Sequence, residues 1–105
     1  MSIEKRAHTR FPARVRVVLE HAGVRTEAFS RDLSLGGMFV ETASPFPYGA
    51  EVVAEVHLPA LVRPSPIRCT VRWVIAAGVG VQFGALRVAE TWAINLLAAQ
   101  HQRSR

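Results

Sequence analysis

A chain of 105 residues is long enough to bury one hydrophobic core and too short for a two-lobed enzyme with a deep cleft. Half of its residues are hydrophobic and 20% are charged, which excludes wholesale disorder, and its apolar runs fall far short of the ~20 residues that span a membrane. The formal net charge of +5 is concentrated in residues 1–16 and 101–105 and favours an anionic partner or a solvated charged tail.

The first element in chain order is a cationic arm at residues 1–12. It contains charged residues and no apolar stretch of the kind found in secretory signals, so we expect a cytoplasmic protein. Residues 1–10 have too few apolar groups to dock on a core, and the arm is therefore expected to be flexible. Pro12 holds the chain extended where it enters the first strand.

After the arm, apolar and polar residues alternate with the period of a β-strand. Turn residues and proline-rich loops divide this region into six predicted strands, at residues 15–20, 24–31, 38–42, 51–58, 67–75 and 79–83. On the fifth of these strands, alternation places Cys69, Trp73 and Ile75 on the inner face. Six short strands at this spacing predict a closed barrel or a sandwich.

The last element is a predicted α-helix at about residues 86–101, rich in good helix formers. One stripe of this helix is apolar and is expected to face the barrel: Leu86, Ala89, Ala93 and Leu97. A second apolar flank is a candidate face for a dimer or a protein partner: Val88, Trp92, Leu96 and Ala99. Trp73 and Trp92 are themselves expected chiefly to pack in the core or between helix and barrel.

No arrangement of residues in the sequence resembles an active site. The four histidines lack the spacing of metal ligands, and neither a nucleophile elbow nor a P-loop is present. The acidic residues are scattered, and Cys69 is expected to be a small core residue and not a reactive thiol. We therefore expect no enzymatic activity, no metal and no cofactor.

Two arginines four residues apart, Arg6 and Arg10, form the first candidate binding motif. The planar guanidinium can bind a phosphate through two hydrogen bonds and can stack on a base. Two such groups on a flexible segment could close over a nucleotide from two sides. Ordinary solvated charge is the alternative interpretation.

The segment from Asp32 to Gly37 is the second candidate motif, at the end of a predicted strand. It could be a tight turn, because Asp and Ser bond to nearby backbone and glycine permits unusual dihedral angles. It could instead be a polar ledge, where Asp32 accepts hydrogen bonds from a guanine-like edge and Ser34 offers a hydroxyl. On such a ledge Gly36 or Gly37 would let a ligand approach the backbone. Replacing Asp32 would impair folding in the first case and ligand selectivity in the second.

The two motifs together resemble the signature of the PilZ domain, a bacterial receptor for cyclic di-GMP. Arg6 and Arg10 match its RxxxR motif, and Asp32, Ser34 and Gly37 match its [D/N]xSxxG motif. The run from Gly78 to Phe83 is similar to the last strand of the family, and the resemblance covers nearly the whole chain.

The resemblance implies a mainly β fold, a six-stranded antiparallel β-barrel at residues 13–105 with a C-terminal α-helix, preceded by the switch arm at residues 1–12. It implies that cyclic di-GMP binds to one set of residues: Arg6, Arg10, Asp32, Ser34, Gly36 and Gly37. Binding would order the arm, and the signal would pass to a protein partner or to a second copy of the chain.

Two other functions stay open. A PilZ-like barrel could act as a protein–protein adaptor in motility or pilus assembly without binding nucleotide, although the intact motifs argue against this. A small basic barrel could also bind RNA or single-stranded DNA, which usually requires aromatic platforms on exposed strand faces. Nucleic-acid binding is the weaker alternative, because Trp73 and Phe83 are expected to face inward.

Overall fold

A computed structural model describes residues 8–44 and 46–103 of the chain. These residues form seven β-strands and one α-helix. The strands are β1 (Phe11–Pro12), β2 (Arg16–His21), β3 (Val24–Leu33), β4 (Gly37–Glu41), β5 (Glu51–Val56), β6 (Ser65–Ile75) and β7 (Gly78–Phe83), and the helix is α1 (Val88–Arg103). Among the described residues, no helix is long and apolar enough to cross a bilayer.

Six of the strands close into an antiparallel barrel in the order β3-β2-β5-β6-β7-β4, with β4 pairing back to β3. The predicted fold class, a six-stranded antiparallel barrel with a C-terminal helix, is therefore confirmed. The two-residue strand β1 is an addition that the alternation pattern did not predict. It pairs with the end of β3, where Phe11 faces Leu33. Phe11 and Pro12, at the end of the predicted arm, are thus joined to the barrel.

The core fills the barrel with the inward side chains that the period of two predicted. Buried positions alternate along β5 and along the first part of β6, and Cys69 is among them, as expected. Burial raises the pKa of the Cys69 thiol to about 12, which keeps it protonated and unreactive. Further large members of the core come from β2, β3, β4, β7 and the helix: Val17, Leu19, Leu33, Met38, Val40, Val79, Val81, Phe83 and Ile94.

A register shift in β6 reverses the predicted facing of its second half. The shift against β7 falls between Val71 and Trp73, so one extra residue stands in β6 at this point. A bulge of this kind moves every later side chain to the opposite face. Trp73 is 50% exposed and Ile75 is 45% exposed, and the prediction that both face inward is wrong.

The hairpin between β2 and β3 confirms the turn predicted at residues 21–23. Its two central residues, Ala22 and Gly23, have φ angles of 52° and 79°. A two-residue turn with positive φ at both positions has a backbone twist that matches the twist of the two antiparallel strands it joins. Glycine adopts it freely, whereas alanine does so at a cost.

The helix begins at Val88, two residues later than predicted, because Arg87 and Glu90 build its first turn. The Arg87 backbone N–H donates to Glu90 Oε1 over 2.9 Å, which is one half of a capping box. The Arg87 guanidinium donates to Glu90 Oε2 over 2.6 Å. Burial alone would raise the pKa of Glu90, but the hydrogen bonds from Arg87 and from the Ser65 side chain outweigh it and lower that pKa.

The packing of α1 agrees with the predicted apolar stripe only in part. Ala93 and Leu97 contact the core as predicted, Ile94 joins them, and Ala89 is exposed. Trp92 is 53% exposed, so its predicted burial in the core or against the barrel is wrong.

Candidate functional site

The turn between β3 and β4 is closed by the Ser34 side chain. Ser34 Oγ accepts hydrogen bonds from the backbone N–H groups of Gly36 and Gly37, over 3.0 and 3.1 Å. The same hydroxyl donates to the Gly37 carbonyl over 3.2 Å, and Ser34 is buried. One donor and two acceptor sites are all that a hydroxyl has, so in this arrangement Ser34 is engaged by its own turn.

Asp32 joins the two motifs that the sequence analysis singled out. Its Oδ1 accepts a hydrogen bond from Arg10 Nη1 over 3.0 Å and another from the Phe39 backbone N–H over 2.9 Å. Arg10 and Asp32 are 22 positions apart in the chain. Their side chains are 18% and 26% exposed, so the ion pair lies at the edge of the barrel, only partly screened by water. Arg6, the other predicted arginine, lies outside the described residues.

The Asp32 carboxylate also accepts a backbone hydrogen bond at an irregularity between β3 and β4. The register between these strands shifts between Ser30 and Asp32. At that shift the Phe39 N–H bonds to the Asp32 side chain. Asp32 is therefore part of the barrel frame as well as a candidate ligand group.

Gly37 is required by the close approach of β4 to β7. A Cβ at Gly37 would collide with the backbone carbonyl oxygen of Val81. Neither a positive φ angle nor a ligand is needed to explain this glycine. Gly36 has more room, since a Cβ there would lie 3.1 Å from the His8 ring.

A groove of about 540 Å³ opens beside this turn, on the outer face of the barrel. Arg10, Ser34 and Gly36 line it from one side. Since β7 pairs with β4 on one edge and with β6 on the other, Gly80 and Gln82 of β7 form its floor. Arg72 and Trp73 of β6 form the far wall. The volume is in the range of small-molecule sites.

Trp73 is one of the groove residues that the sequence motifs did not include. The bulge in β6 turns it outward, and its side chain lies over Gly80, where a Cβ would come within 2.9 Å of Trp73 Cβ. A flat indole on the wall of a polar groove is a surface on which a base can stack. A signal was present in the sequence, because a glycine inside a strand marks a bulge or a close approach.

Arg72 differs from the arginines of β2 and β3 in its hydrogen-bond partner. The arginines of β2 and β3 are paired with carboxylates: Arg16 with Glu27, Arg25 with Glu55 and Arg31 with Glu41. Arg72 instead donates from Nε to the neutral Gln82 Oε1 over 2.8 Å. In the part of the chain that the structure describes, no carboxylate pairs with Arg72, and no group of three His, Cys, Asp or Glu side chains is placed to hold a metal ion.

These features define a small β-barrel domain with a ligand-sized polar groove on its outer face. The chain belongs to the PilZ domain family, whose sequence model matches residues 4–99, and the family predicted from the two motifs is confirmed. A comparison with curated protein sequences gives no match.

Solved structures share the fold at low sequence identity. MotI/DgrA, the inhibitor of motility of Bacillus subtilis, is 18% identical with a TM-score of 0.81, over 98% of this chain and 54% of that one. The K. pneumonia MrkH–c-di-GMP complex is 18% identical with a TM-score of 0.70, over 98% of this chain and 57% of that one. The PilZ domain of CeSA from a cellulose synthesizing bacterium is 17% identical with a TM-score of 0.67, over 85% of this chain and 93% of that one. The chain thus spans about half of the length of MotI/DgrA and of MrkH.

Proposed function

We propose that this PilZ domain is a receptor for cyclic di-GMP and that the nucleotide binds in the groove beside β7. The observation that supports this most directly is the Arg10–Asp32 ion pair, since it unites one residue from each motif and its arginine lines the groove. The similarity of the fold to MrkH, whose structure is a complex with c-di-GMP, supports the same ligand.

The groups around the groove suit the chemistry of this ligand. Cyclic di-GMP has two phosphates and two guanines. Arg10, with Arg6 from the segment before it, would bind phosphate through charge-assisted hydrogen bonds. The Asp32 carboxylate would accept the N1–H and 2-amino protons of guanine, which adenine lacks. Trp73 on the β6 wall of the groove offers a flat surface for stacking of a guanine.

The turn residues would act mainly by shaping the wall of the groove. Ser34 holds the Gly36 and Gly37 amides in place, and the absence of a side chain at Gly36 lets a ligand approach the backbone. In this proposal the part of the arm before β1, residues 1–10, closes over the nucleotide, and the ordered arm is what a partner protein or a second copy recognises. The domain is a cytoplasmic switch and not a catalyst.

Calorimetric titration of the purified protein with cyclic di-GMP, and in parallel with cyclic di-AMP and GTP, tests the proposal. We expect selective binding of cyclic di-GMP. One charge-assisted hydrogen bond contributes about 1.5–3 kcal/mol, so Arg10→Ala should weaken binding roughly tenfold to a hundredfold. Arg16→Ala is the matched control, because Arg16 pairs with Glu27 away from the groove. The absence of both heat and a melting-temperature shift at high micromolar ligand would refute the proposal.

A nucleotide-independent adaptor is the second candidate, favoured by the exposed apolar side chains of Val88 and Trp92 on α1. Exposure of Trp73 also removes part of the sequence argument against nucleic-acid binding. A titration with a single-stranded oligonucleotide therefore belongs in the same experiment. Binding of the oligonucleotide without binding of cyclic di-GMP would favour a nucleic-acid site, and binding of neither would favour the adaptor.

A further inference from the structure

We infer that Arg72 is a third arginine of the binding site, which binds a phosphate of the ligand from the β6 wall, and that Gln82 is the residue that positions it. This inference rests on the proposed nucleotide-binding function. It adds a residue that lies in neither motif.

The bulge in β6 is what brings Arg72 into the groove. Arg72 occupies the point where the register against β7 shifts, between Val71 and Trp73. It is exposed, and so is the following residue, Trp73, although neighbours in a regular strand face opposite sides. Both line the groove that Arg10 lines from the motif side. A single irregularity therefore places a cation and an aromatic ring side by side.

The hydrogen bond to Gln82 orients Arg72 without neutralising it. The bond to Gln82 Oε1 uses Nε, and among the described residues no ion pair involves the two terminal nitrogens, so their four N–H groups are left as donors. A phosphate needs two of these donors for a bidentate contact. The arginines of β2 and β3 that pair with glutamates have part of this capacity occupied. Arg72 is held in place and keeps its full charge.

Gln82 is itself well placed to fix this geometry. It lies on β7 between Gly37 of β4 and Thr70 of β6, each of which is its direct cross-strand partner. The strand is thus paired on both edges at this position, so the Gln82 backbone cannot move independently of the motif turn. Arg10, just before β1, and Arg72, in β6, line the same groove, which suits a ligand with two phosphate groups.

Titration of the full chain with cyclic di-GMP tests the inference with four variants. Arg72→Ala should weaken binding about tenfold to a hundredfold, as expected for a charge-assisted hydrogen bond. Arg72→Lys should recover only part of the loss, since an ammonium is a point charge without a planar fork. The matched control is Arg68→Ala, an exposed arginine of the same strand. Arg68 and Arg72 both line a neighbouring cavity, but only Arg72 also lines this groove. The affinity of Arg68→Ala should stay within about twofold of the parent, because exposed long-range charge is screened.

The fourth variant, Gln82→Glu, tests positioning. A carboxylate at this position would form an ion pair with Arg72 and compete with phosphate, so affinity should fall while the melting temperature of the unliganded protein stays the same or rises. The salt dependence of the dissociation constant is a second readout. It should become shallower in Arg72→Ala, which loses a charge contact, and stay parental in Arg68→Ala.

The outcomes separate this inference from the function on which it rests. No binding by the parent chain would refute the proposed function and the role of Arg72 with it. Parental affinity of Arg72→Ala would refute only the role of Arg72. Equal losses in Arg72→Ala and Arg68→Ala would also refute it, since general attraction by positive charge would then explain the effect.

Discussion

Replacing Asp32 by alanine should impair the fold as well as ligand binding. Asp32 Oδ1 accepts hydrogen bonds from the Phe39 N–H and from Arg10 Nη1, at the point where β3 and β4 lose their regular register. Alanine leaves the Phe39 N–H without its partner, and Phe39 is buried. It also removes the counter-charge of Arg10.

The size of the effect follows from these two contacts. An unsatisfied buried amide costs about 1–3 kcal/mol. A partly exposed ion pair contributes about 0.2–1 kcal/mol. The sum, about 1–4 kcal/mol, corresponds to a melting temperature roughly 5–30 °C lower for a domain of this size.

Thermal unfolding followed by circular dichroism measures the change in melting temperature of Asp32→Ala and of two matched variants. Asp32→Asn keeps an acceptor for the Phe39 N–H, so it should lose about 1 kcal/mol or less. Arg10→Ala removes only the ion pair and should also melt close to the parent. An Asp32→Ala protein that melts within about 2 °C of the parent, a shift of less than ~0.5 kcal/mol, would refute the structural role of the carboxylate.

Three further predictions concern parts of the molecule outside the groove. Ala22→Gly should stabilise the protein by about 0.5–1 kcal/mol, because alanine at φ 52° is strained; an unchanged or lower urea midpoint would contradict this. Cys69, buried and with its pKa raised to about 12, should resist iodoacetamide at pH 8 until urea unfolds the chain, and rapid labelling of native protein would contradict its burial. The fold lowers the pKa of Glu90, so ionised Glu90 should stabilise the protein fully above the ordinary value of 4.5 and progressively less as the pH falls below it. In urea unfolding at different pH values, Glu90→Gln should therefore show a flatter dependence of stability on pH than the parent. A variant with the parental pH profile would contradict this role of Glu90.

The barrel itself could be predicted from the sequence because strand alternation is a local property. Side chains two residues apart share a face whatever the rest of the chain does, so the burial of Val52, Ala54 and Cys69 followed from their spacing alone. The hairpin at Ala22–Gly23 was predictable for the same reason, since a two-residue turn depends only on its own dihedral angles. The motifs, being short runs of residues, likewise sufficed to predict the family.

The groove depended on cross-strand relations that no single segment contains. Whether β6 forms a bulge is decided by its register against β7, and that register turned Trp73 outward and placed Arg72 beside it. The need for glycine at position 37 comes from a carbonyl of β7, 44 residues further along the chain. Asp32 acquires its structural role only because the shift between β3 and β4 presents it with the Phe39 N–H. Sequence alone determined which residues alternate and which motifs are present, whereas the closure of the barrel decided which side chains meet, because contacts between strands distant in the chain are set by pairing and not by local spacing.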